Sequence, residues 1–316
     1  MKGIAHFTTG VAVAALWPGV MQEALSTQTF WLAFGGLAGI LPDTLDFKLA
    51  RFFYKPDVFI DPFEVAEDPK RVAHMIAEAV KKAYVNGKCR VHFSSVKYSA
   101  DLWRQWSFQF EDNVVKVKIA ELVDTSGIPI PDTFKGEGMA ILPVEVMNDY
   151  EGETVINIFS GPDVEFVRDG DKVRMVFLPW HRDWSHSLTL AVFLAFLLLP
   201  FSLKAAGIFV AAWWAHVLED QLGYMGSNLF WPATTSRFAG LKLMHSSWPI
   251  PNALTVMLAA EVVLYKAMIN KYPFIREDWH MFWFFFVVPV LLIITGAWFG
   301  EKAREFEVEV FEEGGD

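Results

Sequence analysis

The sequence predicts an α-helical polytopic membrane protein with about six spanning helices and one inserted soluble α+β domain that contains an antiparallel sheet. Of the 316 residues, 53% are hydrophobic and 16% aromatic, and the mean hydropathy is +0.28. This composition is too apolar for an ordinary soluble domain. The apolar residues are concentrated in runs near both ends of the chain, whereas the middle is mixed in composition. The predicted divisions are membrane helices in residues 1–51, the insert in 52–178, membrane helices in 179–300 and an acidic tail in 301–316.

Six apolar runs are the candidates for membrane helices. They occupy residues 4–20, 29–41, 188–203, 205–218, 253–269 and 281–299. Several runs are shorter than the ~20 residues that a spanning helix needs, which indicates tilt, re-entrance or helix ends with a polar role. Gly35, Gly36 and Gly39 indicate close helix packing in the second run. His6 interrupts the first run and no small-residue cleavage site follows, so we interpret that run as a retained helix rather than a signal peptide.

The insert has the pattern of a small α+β domain. Residues 68–86 have helical periodicity and end at Asn86-Gly87. Strand-like runs follow, separated by turn signals, at residues 88–98, 106–111, 114–123, 139–147, 154–160, 164–168 and 172–178. The insert contains no motif typical of a site, and we interpret His74 and His92 as surface or structural histidines.

Charge and cysteine content argue against several kinds of partner and site. The formal net charge of −10 argues against nucleic acid as a partner. The single cysteine, Cys89, excludes an intramolecular disulfide framework and a cysteine-based zinc site. The bias of lysine and arginine near the predicted helix ends places the insert and the polar motifs on the cytoplasmic side of the inner membrane.

Polar side chains stand at four predicted helix ends. The first helix begins with one, the second ends with two, two precede the third, and the fourth ends with two. Because successive spanning helices alternate in direction, we expect these ends on one membrane face. The seven side chains are His6, Asp43, Asp46, His181, His186, His216 and Asp220. Polar groups at the mouth of a membrane bundle indicate a functional site.

This set of imidazoles and carboxylates predicts a divalent metal site. Zinc suits such ligands best, and manganese or iron is also compatible. Seven candidates exceed the needs of one tetrahedral ion, so one or two ions are expected, which activate a water for hydrolysis. Asp46 or Asp220 is then the candidate base, and Arg182 is placed to pair with a phosphate or to stabilise developing negative charge.

Three further residues lie near these motifs in the sequence. His245 belongs to a loop on the same predicted face and is able to join the site. His280 is predicted on the opposite face and is excluded. Glu219 neighbours Asp220 but points about 100° away around a helix, so we interpret it as a packing partner or a support for a ligand.

The order of these motifs resembles the YdjM-type family of LexA-regulated, membrane-bound proteins described as metal-dependent hydrolases. The segments that carry the resemblance are His6, residues 41–46 (Leu-Pro-Asp-Thr-Leu-Asp), residues 181–188 (His-Arg-Asp-Trp-Ser-His-Ser-Leu), residues 216–220 (His-Val-Leu-Glu-Asp) and Pro232. The order is also similar to that in zinc-dependent bacterial phospholipase C. The resemblance covers about residues 1–50 and 180–235, leaves out the insert, and implies a metal-binding site formed by the histidines and aspartates of these motifs.

The resemblance has departures. Asp46 follows Asp43 by three positions where the family often has two, Asp183 replaces a glycine, and Ser185 replaces a threonine. These differences concern the role of Asp46 and the shape of the substrate pocket more than they concern the histidines.

Several functions remain open from sequence. The leading hypothesis is a membrane-bound metal-dependent hydrolase of a phosphoester or another ester in a lipid or other amphiphilic substrate. The alternative is a non-enzymatic metal-binding membrane module or transporter whose insert binds a protein partner. A metal-free phosphatase that uses His216 and Asp220 needs more basic residues than Arg182, and a zinc protease is disfavoured because no H-E-x-x-H motif occurs. The substrate and the oligomeric state do not follow from the sequence.

Overall fold

The computed structural model of the chain describes residues 1–27, 29–125, 128–148, 152–156, 161–244, 246 and 248–272, and the single residues 283, 287, 288, 291 and 295. Two compact units are present, one formed by Met1–Leu49 with Arg182–Asp316 and the other by Ala50–His181. His245, His280 and the predicted tail lie outside the described residues, as does nearly all of the sixth apolar run.

The helices of the described residues are numbered here in chain order. They are α1 (Gly3–Leu16), α2 (Val20–Ser26), α3 (Trp31–Leu45), α4 (Arg51–Phe53), α5 (Pro69–Asn86), α6 (Leu188–Phe196), α7 (Leu203–Gln221) and α8 (Pro249–Lys271). A π-helical turn, Asp46–Ala50, joins α3 to α4, and a 3₁₀ turn, Trp184–His186, precedes α6.

The prediction of a polytopic bundle with about six spanning helices is wrong. Among the described residues, α8 alone is long and apolar enough to cross a membrane by itself, and α1 with α2 passes the same test only as a pair bent by 93°. The apolar runs are interrupted by polar groups and turns. Gly19, with φ of 78°, ends the first run; α6 has only nine residues; and α7 contains Lys204, Glu219 and Asp220.

Close packing of α1 against α3 follows from glycines, as the sequence predicted. A Cβ atom on Gly10 would lie 2.2 Å from the Gly35 carbonyl oxygen, and one on Gly39 would lie 2.6 Å from the His6 carbonyl oxygen. No side chain fits at such distances, so the two backbones touch. This contact places the beginning of α1 beside the end of α3. The packed core of the unit consists of Ala38, Ala191, Ala195, Ala206, Phe209, Ala212, Trp213 and Val217.

The second unit contains α5 and two β-sheets. Its strands are β1 (Val58–Ile60), β2 (Lys88–Phe93), β3 (Val96–Lys97), β4 (Leu102–Glu111), β5 (Val114–Asp124), β6 (Gly136–Ile141), β7 (Val146–Asn148), β8 (Glu153–Ile156), β9 (Asp163–Asp169) and β10 (Lys172–Phe177). One sheet has the order β1-β2-β9-β10-β7, and the other has the order β3-β4-β5-β6 with β8 paired to β4. The core between them includes Phe93, Trp106, Phe108 and Phe166.

The sequence predicted an antiparallel sheet in the insert, but two sheets are present, and only the second is antiparallel in all its described pairings. The first sheet is mixed, because β1 pairs with β2 and β7 pairs with β10 in parallel. Both β1 and β7 have only three residues, which is too short for alternation to reveal their partners. The helix predicted at residues 68–86 does form as α5, with Asp68 as its N-cap and Gly87, at φ of 89°, as its C-cap.

Candidate metal centre

Three parts of the first unit converge on one cluster. Asp43 lies in the last turn of α3, His186 ends the 3₁₀ turn before α6, and His216 and Asp220 face each other across one turn at the end of α7. The spacing of His216 and Asp220 by four residues puts both side chains on one face of the helix. The structure therefore brings together ligands from distant parts of the sequence.

The ligand atoms of these four residues lie at distances that suit one ion. The two Nε2 atoms of His186 and His216 are 3.0 Å apart. Asp220 Oδ2 lies 3.2 Å and 3.4 Å from these nitrogens, and Asp43 Oδ1 lies 3.4 Å and 3.7 Å from them. A tetrahedral ion with typical zinc–ligand bonds separates its ligand atoms by about 3.3 Å. The four residues could therefore hold one divalent cation.

Burial differs among the four ligands. The side chains of His186 and His216 are 0% exposed and that of Asp220 is 1% exposed, whereas the side chain of Asp43 is 19% exposed. The centre is consequently sealed on the side of the imidazoles and opens toward solvent at Asp43.

The orientation of His216 is fixed by the backbone of α3. Its Nδ1 atom lies 2.6 Å from the carbonyl oxygen of Gly39. Because a carbonyl oxygen only accepts, Nδ1 carries the proton and Nε2 keeps its lone pair for a metal ion. A hydrogen bond from the remote ring nitrogen to a carbonyl is the usual support of a metal-binding histidine.

The orientation of His186 is fixed by Ser185 and Asp46. Its Nδ1 atom lies 3.0 Å from Ser185 Oγ and 3.2 Å from Asp46 Oδ2. Asp46 is fully buried and accepts hydrogen bonds from the Ser185 hydroxyl and, at 2.8 Å, from the backbone N–H of Arg182. Asp46 therefore lies against the remote nitrogen of His186, on the side away from the four converging atoms.

Asp220 uses its two oxygens differently. Oδ1 lies 2.8 Å from Arg182 Nη2, 2.8 Å from the Met1 amino group and 3.2 Å from His6 Nε2. Oδ2 is buried and makes no hydrogen bond of acceptable geometry among the described residues, although it is close to both imidazoles. A buried carboxylate oxygen in this state is costly unless it binds a cation. This orphaned atom supports the fit of a metal ion.

His6, also a candidate ligand from sequence, supports the cluster from one side. Its Nδ1 atom lies 2.8 Å from Glu219 Oε2, and the Thr9 hydroxyl donates to the other oxygen of Glu219. Its ring is 3.8 Å from the ring of His216, at an interplanar angle of 35°. His6 therefore stacks on a ligand and contacts Asp220 rather than joining the four converging atoms. Glu219 has the supporting position expected from its place on the helix.

His181 is the last residue of the second unit. It is buried there, and its backbone N–H donates to the Leu178 carbonyl oxygen at 2.9 Å. The four converging atoms all come from the first unit, and His181 is not among them.

The charge on His186 follows from its neighbours. Burial lowers the pKa of His186, but the nearby carboxylates of Asp220, Asp43 and Asp46 raise it more strongly, to about 10. Without an ion, a proton on His186 offsets the buried carboxylates. A divalent cation would replace that proton.

Two supporting residues were not identified from sequence. The sequence predicts only a packing role for Gly39, yet its carbonyl orients His216. Arg237 lies in the loop after α7, where burial lowers its pKa to about 10 while the charges of Asp183 and Asp46 raise it. Phe238 pairs with Ser227 through the backbone, which holds this loop together. Nothing in the local sequence of the loop indicates this placement.

Comparison with known families supplies a match. Residues 158–303 match the family model of the YdjM inner membrane protein. The resemblance predicted from the motifs is thereby confirmed over this range, which contains His186, His216 and Asp220. Residues 1–50, with Asp43, lie outside it. The comparisons with curated proteins and with solved structures give no match.

Proposed function

We propose that this chain is a membrane-associated, metal-dependent hydrolase that cleaves a phosphoester or another ester of an amphiphilic substrate at the membrane surface. The observation that carries the proposal is the convergence of two imidazole nitrogens and two carboxylate oxygens within 3.0–3.7 Å. Each imidazole is held by a separate contact on its other nitrogen, as metal ligands generally are.

The ligand set favours zinc, with manganese and iron as compatible ions, because it contains nitrogen and oxygen donors and no thiolate. Asp43, His186, His216 and Asp220 would hold the ion. A divalent ion at this position supplies Lewis-acid activation of a water molecule or of a substrate oxygen.

The surrounding residues receive specific roles. Asp43 is the partly exposed ligand and is therefore the carboxylate placed to accept a proton on the open side. Arg182 holds Asp220 through Oδ1 and the backbone carbonyl, which leaves Oδ2 directed at the imidazoles. Asp46 would orient His186 through its Nδ1 atom.

Membrane association is supported by the surface of the first unit. In the apolar window of α8 only 17% is buried, whereas the core helix of a globular domain is mostly buried. Large apolar side chains at the end of α6 and just after it are also exposed, namely Phe193, Phe196, Leu197 and Phe201. Exposed apolar surface of this kind marks contact with a membrane or another protein. The description of the matched family as an inner membrane protein favours the membrane.

A second function is favoured by one observation. Four protein ligands, of which three are almost fully buried, resemble a structural metal site more than a catalytic site with an open position. A metal-binding membrane module without turnover is therefore the alternative. The partial exposure of Asp43 favours the hydrolase.

Two measurements on the detergent-purified full chain test the proposal. Elemental analysis is expected to give about one equivalent of zinc, manganese or iron in the parent. A screen of phospholipid and ester substrates is expected to show hydrolysis that is lost on chelation and restored by the same ion. Metal without turnover on any substrate would favour the structural module, and no metal after reconstitution would contradict both functions.

A further inference from the structure

The stretch directly after the metal centre exposes an unusual number of aromatic side chains. The helix of α3 continues through the π-helical turn Asp46–Ala50 into α4, and we call residues 47–53 the aromatic–basic segment. Four of its seven residues are large and apolar, with exposed fractions of 44% for Phe47, 48% for Leu49, 75% for Phe52 and 81% for Phe53. Single exposed apolar residues are common on protein surfaces, but a run of this density is not.

Basic residues alternate with these apolar side chains. Lys48 and Arg51 are exposed, and neither forms an ion pair in the part of the chain that the structure describes. The segment contains no acidic residue, whereas the whole chain has a net charge of −10. The segment is therefore a local positive and aromatic patch on an acidic protein.

This combination selects one kind of occupant. Phenylalanine and leucine side chains enter the boundary between headgroups and acyl chains, while lysine and arginine contact anionic headgroups. We propose that the aromatic–basic segment docks into the interface of an anionic lipid bilayer. Charge complementarity favours lipid over a protein partner, because a purely apolar protein groove would leave Lys48 and Arg51 without counter-charges.

The docking would also specify the substrate of the metal centre, and this part of the inference rests on the proposed function. Asp46, which orients His186, directly precedes the segment. Asp43, the exposed ligand, lies four residues before Phe47, which corresponds to about 6 Å along a helix. Phe47 and Leu49 belong to the same unit as the centre, so their anchoring at headgroup depth would hold the open side of the centre at the same depth. The substrate would then be the headgroup ester of a membrane lipid.

Depth measurements on the reconstituted full chain test the docking. A nitroxide label is attached at Phe53→Cys, with a label at Val85→Cys as control, because Val85 is an apolar helix residue that is 70% exposed. Cys89 is buried, and labelling of the parent measures its background. The proteins are placed in nanodiscs of phosphatidylcholine alone or with phosphatidylglycerol. Collision of the label with oxygen and with a water-soluble nickel complex gives its depth.

We expect the label at Phe53→Cys to be several-fold more accessible to oxygen relative to nickel than the label at Val85→Cys. The difference between the two labels should be larger in nanodiscs that contain phosphatidylglycerol. The combined Lys48→Gln and Arg51→Gln changes should abolish this effect of phosphatidylglycerol, because each basic residue near an anionic surface contributes about fivefold to binding. A label at Phe53→Cys that resembles the control in both lipids would overturn the docking. A label that is protected from nickel equally with and without phosphatidylglycerol, and equally in the charge variants, would overturn the anionic occupant.

The same experiment separates this inference from the proposed function. His186→Ala is introduced into the labelled Phe53→Cys protein. The His186→Ala protein should lose its metal without a change in the depth of the label. If the Phe53→Cys protein that retains His186 binds no metal while its label is at headgroup depth, the docking stands and only the link to substrate is lost. If that protein binds metal normally but its label is in water, the docking is wrong and the metal centre stands.

Discussion

Each of the two units contains a histidine whose Nδ1 atom faces an aspartate. In the first unit, His186 Nδ1 lies 3.2 Å from Asp46, and its Nε2 atom points at three further ligand atoms. In the second unit, His92 Nδ1 lies 2.7 Å from Asp163, whose other oxygen accepts a hydrogen bond from Trp180 Nε1 at 2.7 Å. The residue types are the same, but only His186 has other ligands opposite its second nitrogen.

The difference explains why the cluster around His186, and not the His92–Asp163 pair, is the candidate metal centre. At the His92–Asp163 pair, both carboxylate oxygens have partners and the imidazole is 23% exposed, so the pair is satisfied as it stands. At the centre, Asp220 Oδ2 is buried without a hydrogen bond of acceptable geometry among the described residues, and two imidazole nitrogens face it. Both sites contain histidine and aspartate. They differ because several imidazole nitrogens and carboxylate oxygens that could bind a metal ion converge only at the centre.

The largest effect is expected when a ligand is removed. His216→Ala deletes one of four ligands and should abolish stoichiometric metal binding, whereas His92→Ala in the second unit should leave the metal content at the parental value. Elemental analysis of both purified variants measures this. Equal metal loss in the two variants would remove the distinction between the regions.

A smaller effect on metal binding is expected when the aspartate that contacts a histidine Nδ1 atom is changed to asparagine. Asp46→Asn keeps the shape of the side chain but weakens the support of His186, so metal affinity should fall about 10–100-fold. The matched change Asp163→Asn should leave affinity unchanged, because no ligand depends on His92. Competition with a fluorescent chelator gives both affinities. Complete metal loss in Asp46→Asn would instead make Asp46 a direct ligand.

The free energy of unfolding should depend on pH differently in the metal-bound and the metal-free protein. The folded pKa of His186 is raised to about 10, above its ordinary value. The proton then stabilises the metal-free fold fully below about pH 6.5, and this contribution is lost as pH rises toward 10. The free energy of unfolding of the chelated protein should therefore fall over that window, and metal should abolish the fall. Denaturant titrations at several pH values test this, and parallel profiles with and without metal would contradict it.

The smallest expected effect concerns the packing that aligns the centre. Gly35→Ala places a methyl group 2.4 Å from the Gly10 carbonyl oxygen and should destabilise the fold by about 1–3 kcal/mol through overpacking. Gly3→Ala meets no atom within 4 Å and serves as the control. Thermal unfolding compares them, and an unchanged Gly35→Ala protein would show that α1 and α3 do not require this contact.

The sequence predicted the candidate ligands better than the architecture. The structure brings Asp43, His186, His216 and Asp220 together, although the spanning bundle on which the sequence argument rested does not form. Metal binding by these residues stays a prediction. The sequence did not reveal that Asp46 faces the remote nitrogen of His186, because that depends on the π-helical turn after α3. The number of spanning helices was wrong because apolar composition does not reveal where a run breaks into short helices.

Prediction from sequence has similar limits in the second unit. Capping residues and periodicity predicted α5, because Asp68 and Gly87 satisfy its ends locally. The parallel pairing of β1 with β2 joins residues more than thirty positions apart, and three-residue strands carry too little pattern to predict it. Arg237 was missed for the same reason, because only the folded loop brings its charge near Asp183.

The most direct test of the centre is X-ray absorption spectroscopy of the metal-loaded protein at the edge of its bound metal. Two imidazole ligands and carboxylate oxygens at bond lengths of about 2.0–2.2 Å are expected, with one imidazole lost in a partially loaded His186→Ala protein. A spectrum without imidazole scattering, or one unchanged by His186→Ala, would show that the ion binds elsewhere and would contradict the assignment of this cluster as the metal centre.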